Sequence, residues 1–584
     1  MSYVKTLEDV SPIPINLPRI YLLGDTGAGK TTIIRKILGT DSFNFPTTRQ
    51  TRTTVAITEY IISKSLPFKA TYIFKTVDQI KGYILEILHE AMYKAYTFKG
   101  KQEDQYKIAK YLKQTTDQRF RLYYIISEDF LFNICDQIFE LVPLIENQIE
   151  NLKKEFPDDE GEIETLFELS LENLKEDFEA IRDDVFSKIH KKVVQVCDGY
   201  DLNSQLSYYQ YSNEQKETFI EKCKMILSSE KNSISPVIDY ARIQGDLLAD
   251  WINEDTEIVL IDGEGIGHDT KEASLLAPRH YEHFYKSDAI VLVEESKKPF
   301  VASGKSALRS IFERGYGDKL IVIFSKLDEV IPYDIDNPYR EDIIDEVNNS
   351  LENVLSALKN EKVEILLKED RLYYFSEVNQ TVLNEETIDE FLSVINKAKE
   401  LFDFKVNFIK PEYDFEMLSG YLTKSTERFI NLYNEMLQRE HWQTIKAFNR
   451  RMCWGIDGFR MFTPIADFEE KINEEIKLFI SNPKNWNTEV TEKLKIESIN
   501  HVKREFNQLI LEFARQIMIT KPTYNWYDAM SYYGSGSTFI RKRRIQEILN
   551  DAVPVDLSSI DAMDFKNLIK QILVEAIEKC ENIA

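Results

Sequence analysis

The chain has 584 residues, more than one hydrophobic core usually supports, so two or three domains are expected. Its formal net charge of -25 argues against a general nucleic-acid binder, because most of such a surface repels phosphate backbones; local basic patches remain compatible with it. The chain shows no basic leader followed by an apolar run, and no apolar stretch near the roughly 20 residues that cross a bilayer, which predicts a soluble, cytoplasmic protein. Cys135, Cys197, Cys223, Cys453 and Cys580 are scattered without CxxC spacing or histidines to complete a zinc site, and read as reduced thiols.

In chain order, Ile20 to Leu23 is an apolar run ending in a glycine loop, and Thr31 to Leu38 carries a helical pattern: strand, loop, helix. Two more strands are expected over Val55 to Ser63 and Phe68 to Lys75, around a Pro-containing turn. From about Val77 to Asp250 the period becomes helical, as in Phe130, Ile134, Ile138, Leu141 and Ile145. Acidic faces such as Glu172, Glu176, Asp177 and Glu179 there read as solvated. Strand-like runs return at Ile258 to Ile261, Ala289 to Val293, Leu320 to Phe324 and Leu372 to Phe375. Helical stretches at Ala307 to Arg314 and Glu341 to Leu358 separate them, which indicates a parallel sheet covered on both faces. From about Glu385 the chain is helical again, with breaks near Pro411, Pro464, Pro483, Pro522 and Pro554.

Gly24-Asp25-Thr26-Gly27-Ala28-Gly29-Lys30-Thr31 fits GxxxxGK[ST] completely and stands between a buried strand and a helix. Such glycines let backbone N–H groups converge on phosphate oxygens, and the helix that follows presents its positive end. Lys30 is expected to reach the β- and γ-phosphates and Thr31 to ligate magnesium, with Thr32 counted among the nucleotide-binding residues. Gly304-Lys305-Ser306 imitates the end of this motif, but Pro299 stands where its first glycine is needed, so it reads as a helix start.

The strand Ile258 to Ile261 runs into Asp262-Gly263-Glu264-Gly265, a DxxG pattern. Asp262 is the candidate that holds magnesium through water, and the Gly265 backbone is the candidate partner of the γ-phosphate. Many P-loop ATPases carry a glutamate directly after this aspartate; Gly263 stands here and counts against that reading. A magnesium-binding, phosphate-sensing threonine is expected just before Val55, at Thr53 or Thr54, and Arg49 or Arg52 is a candidate arginine finger in cis. Ile266 occupies the position where many regulatory GTPases orient the attacking water with glutamine. His268, Asp269, Glu264, a partner residue or backbone groups are the alternatives, and the sequence does not choose among them.

After the strand Leu320 to Phe324 comes Ser325-Lys326-Leu327-Asp328, where GTPases carry [NT]KxD. An aspartate accepts both the N1 and N2 protons of guanine, which adenine does not offer, and a lysine stem packs over the ring. Ser325 departs from Asn or Thr, though its hydroxyl is suited to tie this loop to the phosphate loop. One strand later, Ser376-Glu377 is a candidate for a backbone N–H to the guanine carbonyl.

Phosphate loop, switch threonines, DGEG, SKLD and a terminal FSE loop, in this order, resemble a translation-factor-related or Ras-like P-loop GTPase over Ile20 to Leu38, Thr47 to Lys75 and Glu257 to Glu377. The layout of a GTPase head with long helical segments is similar to dynamin-like and other large bacterial GTPases, although dynamin-like proteins usually carry Pro within DxxG, where Gly263-Glu264 stands here. The resemblance implies an α/β fold with a mostly parallel sheet. Its first part is assigned to 1–76 and its second to 251–384; the α-helical insertion 77–250 and the α-helical C-terminal domain 385–584 follow from the helical period and are not explained by the resemblance. It implies GTP as substrate and Mg2+ as cofactor, with hydrolysis coupled to the helical domains. The alternatives are a nucleotide-dependent scaffold with little turnover and a P-loop ATPase.

Two C-terminal segments exceed ordinary patterning. Trp442, Phe448, Trp454 and Phe459 interleave with Lys446, Arg450, Arg451 and Arg460, and are read as core. The Gly/Ser loop Gly534 to Ser537 precedes Arg541-Lys542-Arg543-Arg544, read as a capped helix whose bases pair with the protein's own acids; an anion or lipid surface is the alternative. Self-association through the helices and a peripheral membrane contact are the partner expectations beside GTP and GDP.

Overall fold

The computed structural model describes residues 7–14, 16–43, 45–47, 56–97, 112, 120–155, 163–204, 206–228, 231–263, 265–266, 276–332, 338–360, 365, 367–404, 407–486, 491–532, 537–554 and 560–583. Strand β1 (Arg19–Gly24) is buried from Ile20 onward, and helix α1 (Lys30–Leu38) follows the glycine loop. Strands β2 (Ile57–Ile62) and β3 (Lys69–Phe74) are buried on successive residues rather than alternate ones, as interior strands covered on both faces are. Then come α2 (Val77–Thr97), α3 (Glu128–Glu155), α4 (Ile163–Asn173) and α5 (Lys175–Val196). Helix α2 buries Ile80, Ile84, Ile87, Leu88, Ala91 and Ala95, the three-to-four spacing of a single apolar face.

The stretch expected to be helical as far as residue 250 contains two strands, β4 (Tyr208–Ser212) and β5 (Ile238–Gly245), on either side of α6 (Lys216–Leu227). Neither has a legible period. Strand β4 is polar and half exposed, and β5 carries Arg242 into the core at 2% exposure. Glu59 and Glu8 pair with the Arg242 guanidinium, and the Ser11 carbonyl accepts from it, so a buried charge that breaks the apolar pattern is satisfied inside the fold.

The chain continues through β6 (Ile258–Asp262), α7 (Pro278–Lys286), β7 (Ala289–Glu295), α8 (Ala302–Glu313), β8 (Leu320–Ser325), α9 (Arg340–Asn360), β9 (Leu372–Tyr374) and α10 (Glu385–Asp403). Helix α8 covers Gly304 to Ser306, in line with its reading as a helix start. Helices α11 (Leu418–Arg439), α12 (Trp442–Cys453), α13 (Pro464–Ser481), α14 (Glu492–Arg515), α15 (Thr523–Ser531), α16 (Ser537–Ala552) and α17 (Ile560–Ile583) complete the chain.

These elements form two compact units: one of Met1–Leu17, Lys30–Glu264 and Tyr532–Thr538, the other of Pro18–Gly29, Gly265–Ser531 and Phe539–Ala584. In the first, the strands run in the order β4-β3-β5-β2-β6. Among the described residues there, β2 and β5 pair in parallel, β2 is antiparallel to β6, and β3 to both β4 and β5. In the second the order is β1-β7-β8-β9 and every pairing is parallel. The fold class is α/β with many helices, and the parallel character resides mainly in the second unit.

Within the second unit the C-terminal helices are tied to the strand-connecting segments by buried polar contacts. Arg314, at the end of α8, is 3% exposed and makes a bidentate pair with Glu469 of α13, which is fully buried. Burial pushes the Glu469 carboxyl up while Arg314 pulls it down. Arg504 of α14 donates through Nε to the Gly315 carbonyl at 2.6 Å and pairs with Asp318. On α7, Glu282 accepts from Arg515 at 2.9 Å and Tyr285 donates to Glu505 at 3.0 Å, both on α14.

Of the aromatics after His441 read as core, Trp442 and Phe448 are buried while Trp454 and Phe459 are half-buried, and Phe448 meets Trp526 edge-on at 5.7 Å. Of the basic run, Arg541 is fully buried, Lys542 donates to the Glu440 carbonyl at 2.9 Å, and Arg543 and Arg544 pair with Glu547. The hydroxyls of Ser537 and Thr538, within the first unit, donate to buried Glu168. The loop Tyr533 to Gly536 lies outside the described residues. Among the described residues no helix is long and apolar enough to cross a membrane.

Candidate functional site

Strand β1 delivers Gly24 at φ 147, where an added Cβ would lie 2.2 Å from the Val293 carbonyl oxygen. Glycine alone lets β1 and β7 approach this closely where the loop leaves the sheet. Gly27 and Gly29 also have positive φ, and the Ala28 N–H donates to the Asp25 carbonyl at 3.2 Å, closing the turn. Asp25 accepts from the Ser303 hydroxyl at 2.5 Å. The segment after Asp262 is laid against this loop: Ile266 N donates to the Gly24 carbonyl at 3.1 Å, and an added Cβ on Gly265 would stand 2.6 Å from Thr26 Oγ1. Ile266 is 7% exposed, so the residue after DxxG is a packed apolar side chain pinned to the end of β1.

The loop from Ser325 to Asp328 belongs to the same unit. Ser325 Oγ donates to the Ala28 carbonyl at 2.7 Å, the tie expected between the two loops. Lys326 adopts a left-handed conformation and its ammonium pairs with Glu295 at the end of β7. Asp328 is exposed, and its Oδ1 accepts from the Glu377 N–H at 2.8 Å. Glu377, also at positive φ, thus turns its amide toward Asp328, while the Ser376 carbonyl accepts from Thr387 Oγ1 at 2.9 Å.

In the first unit, Lys30 and Thr31 open α1 at 6% and 9% exposure, with Thr32 half-buried beside them. Thr31 Oγ1 donates to Asp262 Oδ2 at 3.1 Å, and Asp262, ending β6, is 3% exposed. Burial, reinforced by the Asp262 charge, pushes the Tyr60 phenol well above its ordinary pKa. A hydroxyl and a carboxylate oxygen this close are hard donors that fit magnesium, which uses one or two protein oxygens and keeps several waters. Thr47 is described and buried; Arg49, Arg52, Thr53, Thr54, Glu264, His268 and Asp269 lie outside the described residues.

Beneath β1, Tyr21 shares a 2.6 Å hydrogen bond with His280 Nδ1 and stacks on His283 at 4.9 Å. Burial lowers the His283 pKa to about 3, so this α7 ring is neutral at ordinary pH. Sequence reasoning missed Ser303, Glu295 and Ser296, which donates through both N and Oγ to the Ser325 carbonyl. A usable signal existed for Glu295: an acid ends an otherwise apolar strand on the side where parallel sheets bind ligands.

No family model matches the chain, and no curated protein does. Among solved structures, it is similar to one described as an oligomerised bacterial dynamin pair that provides a mechanism for long-range sensing and tethering of membranes. The identity is 13% and the TM-score 0.29, over 100% of this chain and 73% of that one. A second chain of the same description is 12% identical with a TM-score of 0.28, over 99% of this chain and 75% of that one.

Proposed function

We propose that the chain is a magnesium-dependent GTPase that hydrolyses GTP to GDP and phosphate and couples this to its helical regions. The observation that carries the reading is the Ser325 Oγ to Ala28 hydrogen bond, which fixes a base-reading aspartate loop to a glycine loop of phosphate-binding sequence. Gly24 to Gly29 cradle the phosphates through backbone N–H groups, and Lys30 neutralises the β- and γ-oxygens. Thr31 and Asp262 would hold magnesium, which would supply positive charge to the phosphate oxygens. Asp328 accepts the guanine N1 and N2 protons, and the Lys326 stem packs on the ring. Gly265 carries the γ-phosphate contact, and Thr53 or Thr54 the switch contact, with Arg52 and His268 as candidates for charge neutralisation and water orientation.

Loss of the γ-phosphate frees the segment at Gly265, and α7 downstream of it conveys the change to α14 through Glu282 and Tyr285. Competition of ATP and GTP against a fluorescent guanine nucleotide tests the base: GTP displaces it at lower concentration, and preference for ATP removes Asp328 from its role. Buried Ile266 favours a second reading, a nucleotide-dependent scaffold with little turnover, which phosphate release from GTP distinguishes.

Self-association and peripheral membrane contact extend the same proposal, supported by Tyr524, Tyr527 and Phe539, which are 80%, 54% and 71% exposed. Sedimentation with anionic liposomes in both nucleotide states tests the membrane arm, and absence from both pellets ends it.

A further inference from the structure

Residues Glu295 and Ser325 are partners in the parallel register of β7 and β8, so the acid that ends one strand lies beside the start of the base-reading loop. The loop is anchored on both sides there: Ser296 N and Oγ donate to the Ser325 carbonyl at 2.9 and 2.7 Å, and Leu327 N donates to the Phe375 carbonyl at 3.0 Å. Between these anchors Lys326 sits at φ 57, a conformation that L residues rarely adopt and that neighbours must hold in place. Its side chain is 28% exposed and its ammonium pairs with Glu295, itself 42% exposed. The Glu295 carboxylate also faces the phosphate loop, 3.9 Å from where a Cβ on Gly27 would be. The lysine stem therefore runs from the base-reading loop to the rim of the phosphate loop, with its charge held at the far end.

We propose that Glu295 is a positioning residue of the guanine site: it holds the Lys326 ammonium at the rim so that the methylene stem forms the plate on which the purine ring packs. The proposal rests on the GTP reading above. A free lysine has many rotamers, and its charge is drawn to phosphate oxygens. With the ammonium tethered to Glu295, the apolar stem faces the ring and the charge stays hydrated, the division that long basic side chains favour.

The test uses the full chain with methylanthraniloyl-GDP as probe and inorganic tripolyphosphate as a ligand that needs only the phosphate loop. Glu295→Gln is expected to lower the ratio of probe to tripolyphosphate affinity about two- to fivefold, the range for a partly exposed ion pair. Glu295→Lys, which repels Lys326, lowers it further. In a Lys326→Met background the Glu295→Gln loss disappears, a readout that a merely structural role would not give. An unchanged ratio in both Glu295 variants, or an equal loss with and without Lys326, overturns the proposal. A wild-type chain that binds tripolyphosphate but not the guanine probe overturns the GTP reading itself, and the proposal with it.

Discussion

Asp328→Asn is the substitution whose outcome the site geometry specifies most closely. Asp328 Oδ1 is held by the Glu377 N–H at 2.8 Å, a bond that only an oxygen can accept, so the asparagine keeps its carbonyl there and its amide replaces Oδ2. A donor then faces the guanine edge, where two donors wait. The variant loses one charge-assisted hydrogen bond, about 1.5–3 kcal/mol, and leaves unmatched donors at about 1–3 kcal/mol. Together these lower GTP affinity by roughly 10²- to 10⁴-fold. Xanthosine triphosphate offers an oxygen in place of the 2-amino group, so the variant should bind it more tightly than GTP. Titration of both nucleotides against a fluorescent analogue reads the result. Equal GTP affinity of variant and wild type, or a loss without gain for the xanthine nucleotide, would refute the assignment of Asp328.

Glu469→Gln leaves the Arg314 guanidinium buried beside a neutral partner, and should destabilise the protein by about 3–5 kcal/mol in denaturant titration; a midpoint shift within error would contradict the role given to this pair. The His283 ring has its folded pKa lowered from 6.5 to about 3, so its contribution is complete above pH 6.5 and is lost as pH falls toward 3. Between pH 6.5 and 5.5 that loss is about 1 kcal/mol, and His283→Phe should flatten the stability profile there by this amount. An identical slope in both proteins would show that His283 does not titrate as its burial implies. Thr31→Ala removes a hard oxygen beside Asp262 and should raise the magnesium concentration needed for half-maximal GTP binding by about tenfold; an unaltered magnesium titration would place the ion elsewhere.

Strands β1, β6 and β8 were legible because Ile20 to Leu23, Ile258 to Ile261 and Leu320 to Phe324 are continuous apolar runs, the mark of strands buried on both faces. Strands β4 and β5 were not, because Tyr208 to Ser212 is polar and Arg242 interrupts the apolar pattern with a charge that Glu59 and Glu8 satisfy from elsewhere in the chain. The GxxxxGK[ST] and SKLD segments were visible as spaced residues. Their mutual anchoring through Ser325 and Ala28 was foreseen from the hydroxyl alone. Glu295 and Ser303 were not, since their roles come from which strand and helix ends the fold brings together. Ile266 was recognised as a departure, and its burial against the end of β1 supplies the reason that an apolar residue is used.

Steady-state phosphate release from the purified chain with GTP and magnesium, beside Lys30→Ala and an ATP control, tests the GTPase claim most directly. The account predicts turnover of GTP by the wild type that exceeds both the variant with GTP and the wild type with ATP. Release from GTP no faster than that of Lys30→Ala would contradict the enzyme and leave the scaffold reading, and faster release from ATP would contradict the choice of base.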